Sequence, residues 1–201
     1  MKIDQNLLKK AELWAKILGH LPGVQAIFLS GSLACGKAKK KSDIDYLVIA
    51  HAGQIWTARF FVFVVLKVFR QLAKPHNHAG RICPNHFITD HSLEIDEKDA
   101  YAAHLFSHNI PLYDPLELWV NFVDANKSWI ESSGETFQDT PEITFGPPRK
   151  MNHSFWEMMF RWIQRAKIMK NPDFLKPGAK IIISDDELRF HPVPKNKHWK
   201  K

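Results

Sequence analysis

Three features of the sequence predict a mixed α/β (α+β) fold. Residues 24–29 and 44–50, VQAIFL and IDYLVIA, are short apolar runs of strand length and composition. A helical periodicity precedes the first run, and a long apolar segment, residues 54–73, follows the second. Further stretches at helical spacing fill much of the second half. The sequence therefore predicts a sheet with a helical layer and, after it, an additional helical region.

Residues 5–19 carry Leu7, Leu8, Ala11, Trp14, Ala15 and Leu18 on one helical face, and Gly19 with Pro22-Gly23 stops the helix. The first strand ends in a Ser30-Gly31-Ser32 turn. A loop over residues 33–42 follows, with Gly36 and the lysines 37, 39, 40 and 41. Ile44 to Ala50 is apolar after its acids, as a central strand should be. Residues 54–73 are too long for one strand, which favours a helix ended by Pro75. Residues 82–89, ICPNHFIT, predict a third strand in which Pro84 marks an edge or an irregularity. Ser92 to Ile95 reads as a short strand, and Asp96 as the cap of a helix over residues 97–107. A further helix spans about residues 115–126, extending towards Trp129. Residues 132–149, rich in Gly and Pro, are the one linker. Ser154 and Glu157 suggest a capping box for a helix whose buried stripe is Phe155, Met159, Trp162, Ile163 and Ala166. Lys180 to Ser184 and Leu188 to His191 predict a hairpin about Asp185-Asp186. The organisation expected is a core over residues 1–96, then residues 97–201 as a helical region with a small hairpin packed on that core.

Composition narrows the function classes. The 28 Lys and Arg against 21 Asp and Glu give +7, so anionic partners are favoured without choosing among them. Two cysteines, Cys35 and Cys83, make neither a disulfide framework nor a CxxC zinc or redox motif. The N-terminal residues lack a signal-peptide run, and the longest greasy stretch is far short of a membrane span. A reducing cytoplasm and no membrane are the expectation.

Asp43 and Asp45 lie two residues apart on a strand and so share one face. Two acids beside a glycine turn are poor sheet core and good material for a divalent metal and a phosphate. Gly31 and Ser32 let backbone amides and a hydroxyl approach a phosphate. Lys41, its neighbouring lysines and Ser42 are candidates for further phosphate contacts, or else form a solvated loop and a strand entry. His76, His78, His86 and His91 fall within sixteen positions but lack structural-zinc spacing, and His104 and His108 form an i,i+4 pair without HExxH. The motif that binds phosphate in Walker A proteins fails here, because Ala38 follows Gly36-Lys37.

Gly31-Ser32, ten intervening residues and Asp43-Ile44-Asp45 resemble the signature of the DNA polymerase beta-like nucleotidyltransferase superfamily. Cys83 to Phe87, Tyr101 to His104, Pro111 to Tyr113 and Asn126 to Trp129 look like a little-characterised bacterial group with that domain. The resemblance implies a nucleotidyltransferase-type mixed sheet with helices on one face and a helical region after it. It implies a nucleoside triphosphate (NTP), foremost ATP, two Mg²⁺ ions and the release of pyrophosphate. Gly31 and Ser32 become the phosphate turn, and Asp43 and Asp45 metal ligands. Members of the superfamily usually take a third acid from the next strand; here that strand offers Asn85 and His86. Glu94 is the leading substitute in the catalytic role, with Asp96 next as a metal ligand. The acceptor is open, nucleic acid is not the favoured partner, and a homodimer is left open. The alternatives are a catalytically degenerate regulatory or antitoxin-like module, and nucleic-acid binding through the lysines.

Overall fold

All seven residues of the strand Ile44–Ala50 are buried, which requires neighbours on both edges and cover on both faces. The structure, a computed structural model, describes residues 4–74, 76–138, 154–170 and 180–191. Among them are α1 (Gln5–Gly19), β1 (Val24–Ser30), α2 (Gly31–Ala34), β2 (Ile44–Ala50), α3 (Ile55–Val68) and β3 (Ile82–Thr89). There follow α4 (Ala100–Ser107), β4 (Ile110–Tyr113), α5 (Leu118–Ser132), α6 (Ser154–Met169), β5 (Lys180–Ile183) and β6 (Glu187–His191). The strands form one mixed sheet in the order β4-β1-β2-β3-β6-β5. Only β2 and β3 run parallel; the other neighbours are antiparallel.

Period-two alternation divides the apolar residues of β1 and β2 between two cores. Ile27, Leu29, Tyr46 and Val48 pack with α1, α3 and Phe160 and Ile168 of α6. Ala26, Phe28, Leu47 and Ile49 pack with α4 and α5. The fold is thus the expected mixed α/β type. The later helices supply a second face through α4 and α5, while α6 returns to the first and joins α3. Asp45 precedes Leu47 by two residues, so it belongs to the α4–α5 face.

Several elements differ from their sequence expectation. α3 ends at Val68 rather than near Pro75, because Arg70 takes a left-handed conformation (φ 55°). The chain then runs beside β3, with Leu72 bridging Ile82. β4 was not foreseen, since Pro111 argues against a strand; it pairs with β1 at an edge of the sheet, where a missing amide is tolerated. Ser92 to Ile95 is not a strand. Its backbone is held by buried Asn126 instead, which accepts from Ile95 N (2.9 Å) and donates to Leu93 O (2.8 Å). The α4 cap is Asp99, not Asp96, its carboxylate accepting from Ala102 N at 2.8 Å.

α6 shows the largest correction. Its inward stripe is Phe160, Gln164 and Ile168, whereas Phe155, Trp162 and Ile163 are exposed. Polar docking sets the helix rotation. The Glu157 carboxylate accepts from Trp56 N (2.9 Å) and Thr57 N (2.8 Å), capping the first turn of α3 from a different helix. Gln164 donates to Trp56 O at 2.7 Å and accepts from Arg59 Nη1 at 2.6 Å. Glu157 therefore serves α3, while the box expected with Ser154 rests on a side chain outside the described residues. The predicted hairpin is present as β5 and β6, and extends the sheet from β3. Pro75, the linker beyond residue 138 and the helix stop at Asn171-Pro172 lie outside the described residues.

Candidate functional site

The site begins at the end of β1. Gly31 has a positive φ of 71°, and its α-carbon faces the Asp45 side chain so closely that a methyl group there would overlap the carboxylate. β1 and β2 are antiparallel with Ser30 opposite Asp45, so the sheet register itself sets the turn against the acid. Asp43, half-buried one turn of the pleat earlier, shares the face of Asp45, which is 7% exposed.

β3 contributes next. Cys83 lies opposite Asp45, and the register then slips, with His86 opposite Leu47. Three residues of β3 thereby span two of β2, an irregularity at Pro84 that carries the Asn85 amide to Asp45. Asn85 Nδ2 donates to Asp45 Oδ1 at 3.0 Å. Between these groups lies a cavity of about 20 Å³, walled on its far side by Tyr101, Leu105 and Phe106 of α4. That volume suits a water or a single ion, since one probe-sized site needs roughly 10–15 Å³.

The nucleotidyltransferase domain family model matches residues 12–75. That stretch, about a third of the chain, is similar to nucleotidyltransferase domains, which is consistent with the polymerase beta-like superfamily. The match runs from α1 through β1, the Gly31 turn and β2 to just past α3, so it covers both Asp43 and Asp45. No curated protein and no solved structure matches the chain.

Nucleotidyltransferase domains generally use a divalent metal and an NTP, and the residues present can be tested for that ion. Carboxylate oxygens of Asp43 and Asp45 and Sγ of Cys83 lie within 4.8 Å of one another. The two carboxylates are hard oxygen donors that suit Mg²⁺, while the thiol does not. Magnesium is commonly held by one or two carboxylates, with waters and substrate phosphates completing its octahedron. The pair therefore fits the ion.

The remaining expected site residues lie elsewhere or are engaged locally. Glu94 is exposed and pairs with Lys98 at 2.5 Å. Asp96 is exposed as well. Neither belongs to the Asp43–Asp45 group, nor lines its cavity. The reason is Asn126: by fixing the backbone at Leu93 and Ile95 it sends those two side chains into the α4–α5 core, and the residue between them faces outward. Ser42 Oγ accepts from Lys39 N at 2.9 Å and so shapes the lysine loop, whose Lys41 is exposed. Ser32 is half-buried at the turn.

One wall of the cavity was legible only as a histidine of no stated role. His86 is buried, and its Nε2–H donates to Glu187 at 2.9 Å. Burial lowers the His86 pKa and so keeps the ring neutral. Burial pushes the Glu187 carboxyl up, but the His86 bond and the Arg189 charge outweigh it, and the net shift is down. Arg189 Nη1 also meets Glu97 at 2.9 Å, so strand β6 braces the site from behind. Among the described residues, no helix is long and apolar enough to cross a membrane.

Proposed function

We propose that the chain binds an Mg²⁺-complexed NTP, with ATP foremost, between the Gly31-Ser32 turn and the Asp43–Asp45 pair. From there it transfers the nucleoside monophosphate to an acceptor hydroxyl or phosphate. The observation that carries this reading is the packing of the Asp45 carboxylate directly against the side-chain-free Gly31. A phosphate at such a turn is within reach of both the amides of the turn and an ion held by the acids.

In this reading Asp43 and Asp45 hold the metal, which when bound neutralises triphosphate charge and polarises the phosphoryl oxygen. Gly31 lets the turn lie directly against the Asp45 carboxylate, and Ser32 offers its hydroxyl and amide to the phosphates. The exposed lysines of residues 37–41 draw the anionic substrate in. Tyr101, Leu105 and Phe106 exclude water from Asp45. The proposal runs on two carboxylates, because Glu94 and Asp96 lie outside the cavity lining. Cys35 and Cys83, neither of them in a disulfide, are consistent with a cytoplasmic setting.

A second reading is favoured by one specific observation. Asn85, which can neither ionise nor take a proton, occupies the β3 position beside Asp45. In that reading the domain binds nucleotide but does not turn it over, and acts as a regulatory module. The test has two parts on the full chain. Calorimetric titration with MgATP should show metal-dependent binding that Asp43→Asn with Asp45→Asn abolishes; unchanged binding in the double variant overturns both readings. Release of pyrophosphate from labelled ATP across an acceptor panel supports transfer, and binding without any turnover supports the module.

A further inference from the structure

A second cluster of metal-ligating side chains lies apart from the acids. Cys35 Sγ and one ring nitrogen each of His104 and His108 fall within 4.8 Å of one another. They come from distant parts of the chain. Cys35 is the C-terminal cap of α2, the single turn that begins at Gly31. His104 is in the last turn of α4, and His108 is that helix's C-terminal cap, so their i,i+4 spacing sets both rings on one face. The rings lie 4.4 Å apart, centroid to centroid.

The surroundings of the two histidines are those of ligands. A metal-binding imidazole usually donates its other N–H to a carboxylate or a backbone carbonyl, which fixes tautomer and orientation. His104 Nδ1–H donates to Glu135 Oε1 at 3.1 Å. His108 Nδ1–H donates to the carbonyl of His104 at 2.8 Å. With both Nδ1 atoms engaged in this way, Nε2 is the nitrogen each ring would offer a metal, His104 Nε2 now facing Lys37 Nζ. The Cys35 thiol is pushed up to about 11, chiefly by burial, and is therefore a protonated thiol until something replaces its proton.

We propose that Cys35, His104 and His108 form a binding site for a zinc-type transition metal ion, joining α2 to α4. One thiolate and two imidazoles form the donor set that selects Zn²⁺ over Mg²⁺. The ion replaces the thiol proton, which leaves to solvent. Three protein ligands leave a fourth position for water or another ligand. Lys37 Nζ now stands 3.2 Å from His104 Nε2; it is exposed and swings out as the ion enters. The consequence is local to the first site. The Cys35 metal would fix the α2 turn against the helix whose Tyr101, Leu105 and Phe106 close the Asp45 cavity.

The test uses Co²⁺ and Zn²⁺ alone with the full chain, without nucleotide. Co²⁺ should give a sulfur-to-cobalt charge-transfer band and tetrahedral d–d bands, and Zn²⁺ should displace it at one equivalent. Cys35→Ser should abolish the charge-transfer band, while Cys83→Ser and Asp43→Asn with Asp45→Asn should keep it. Glu135→Gln, which leaves all three ligands in place, should weaken Zn²⁺ binding by about 10–100-fold. Lys37→Ala should tighten it. Zn²⁺ should also raise the unfolding temperature of the wild type and not that of Cys35→Ser. Absence of the band in the wild type, or its loss in Cys83→Ser with survival in Cys35→Ser, overturns the proposal.

Discussion

Gly31 has a role that only glycine can fill. Its positive φ excludes most side chains, and the direction in which a Cβ would point is taken by the Asp45 carboxylate. Gly31→Ala should therefore displace Asp45 as well as strain the turn, at a backbone cost of roughly 1–3 kcal/mol. This much was legible, because a Ser-Gly-Ser turn after a strand and two acids at period two are local patterns. The outward direction of Glu94 was not. It depends on a bond from Asn126 to Ile95, 31 positions away, and no local pattern carries that. Asn85 stood on the expected strand, but its contact with Asp45 depends on the slipped register after Cys83. The Cys35, His104 and His108 cluster was hidden for the same reason: the i,i+4 histidines were visible and the distant cysteine was not.

At the scale of elements, the docking of α6 on α3 shows where periodicity misleads. The apolar residues of α6 are spread around the helix, so several faces read as buried; Glu157 and Gln164 choose among them by bonding the N-terminal turn of α3. Glu157→Ala should leave two amides of α3 without that acceptor and cost about 2 kcal/mol, with Glu157→Gln retaining part of it. Phe160→Ala, at a residue stacked on Phe60 with centroids 4.0 Å apart, should cost about 3–5 kcal/mol. Trp162, 76% exposed, should tolerate alanine within about 0.5 kcal/mol. Urea unfolding of the four variants checks the assignment; a Trp162→Ala loss as large as that of Phe160→Ala would contradict it. Strand β2, by contrast, was plain from its apolar run, whereas β4 was concealed by Pro111.

For the whole molecule, β3 is joined to β6 and to Glu97 through His86, Glu187 and Arg189, and this network sets an acid limit on stability. His86 is held neutral in the fold, so its folded pKa lies below the ordinary 6.5. Between the two values the unfolded chain binds more protons, and stability falls as pH drops from about 6.5 towards the folded pKa. Glu187 has a lowered pKa, so its contribution is present above 4.5 and is lost as pH falls through the folded value. Both act in the same direction. Urea midpoints measured from about pH 7.5 down to about pH 5.5 should fall in the wild type and fall less in His86→Gln. A midpoint that holds or rises over that interval contradicts the assignment.

In the proposed function the Gly31 turn and the Asp45 carboxylate act as one site. The most direct measurement is a double-mutant cycle on metal-dependent binding of a non-hydrolysable NTP, using Gly31→Ala, Asp45→Asn and the two together. A single shared site predicts that either substitution removes most of the Mg²⁺-dependent binding and that the second adds little to the first. Losses that simply add, or binding that survives either change, would show that the turn and the acid do not hold the same ligand.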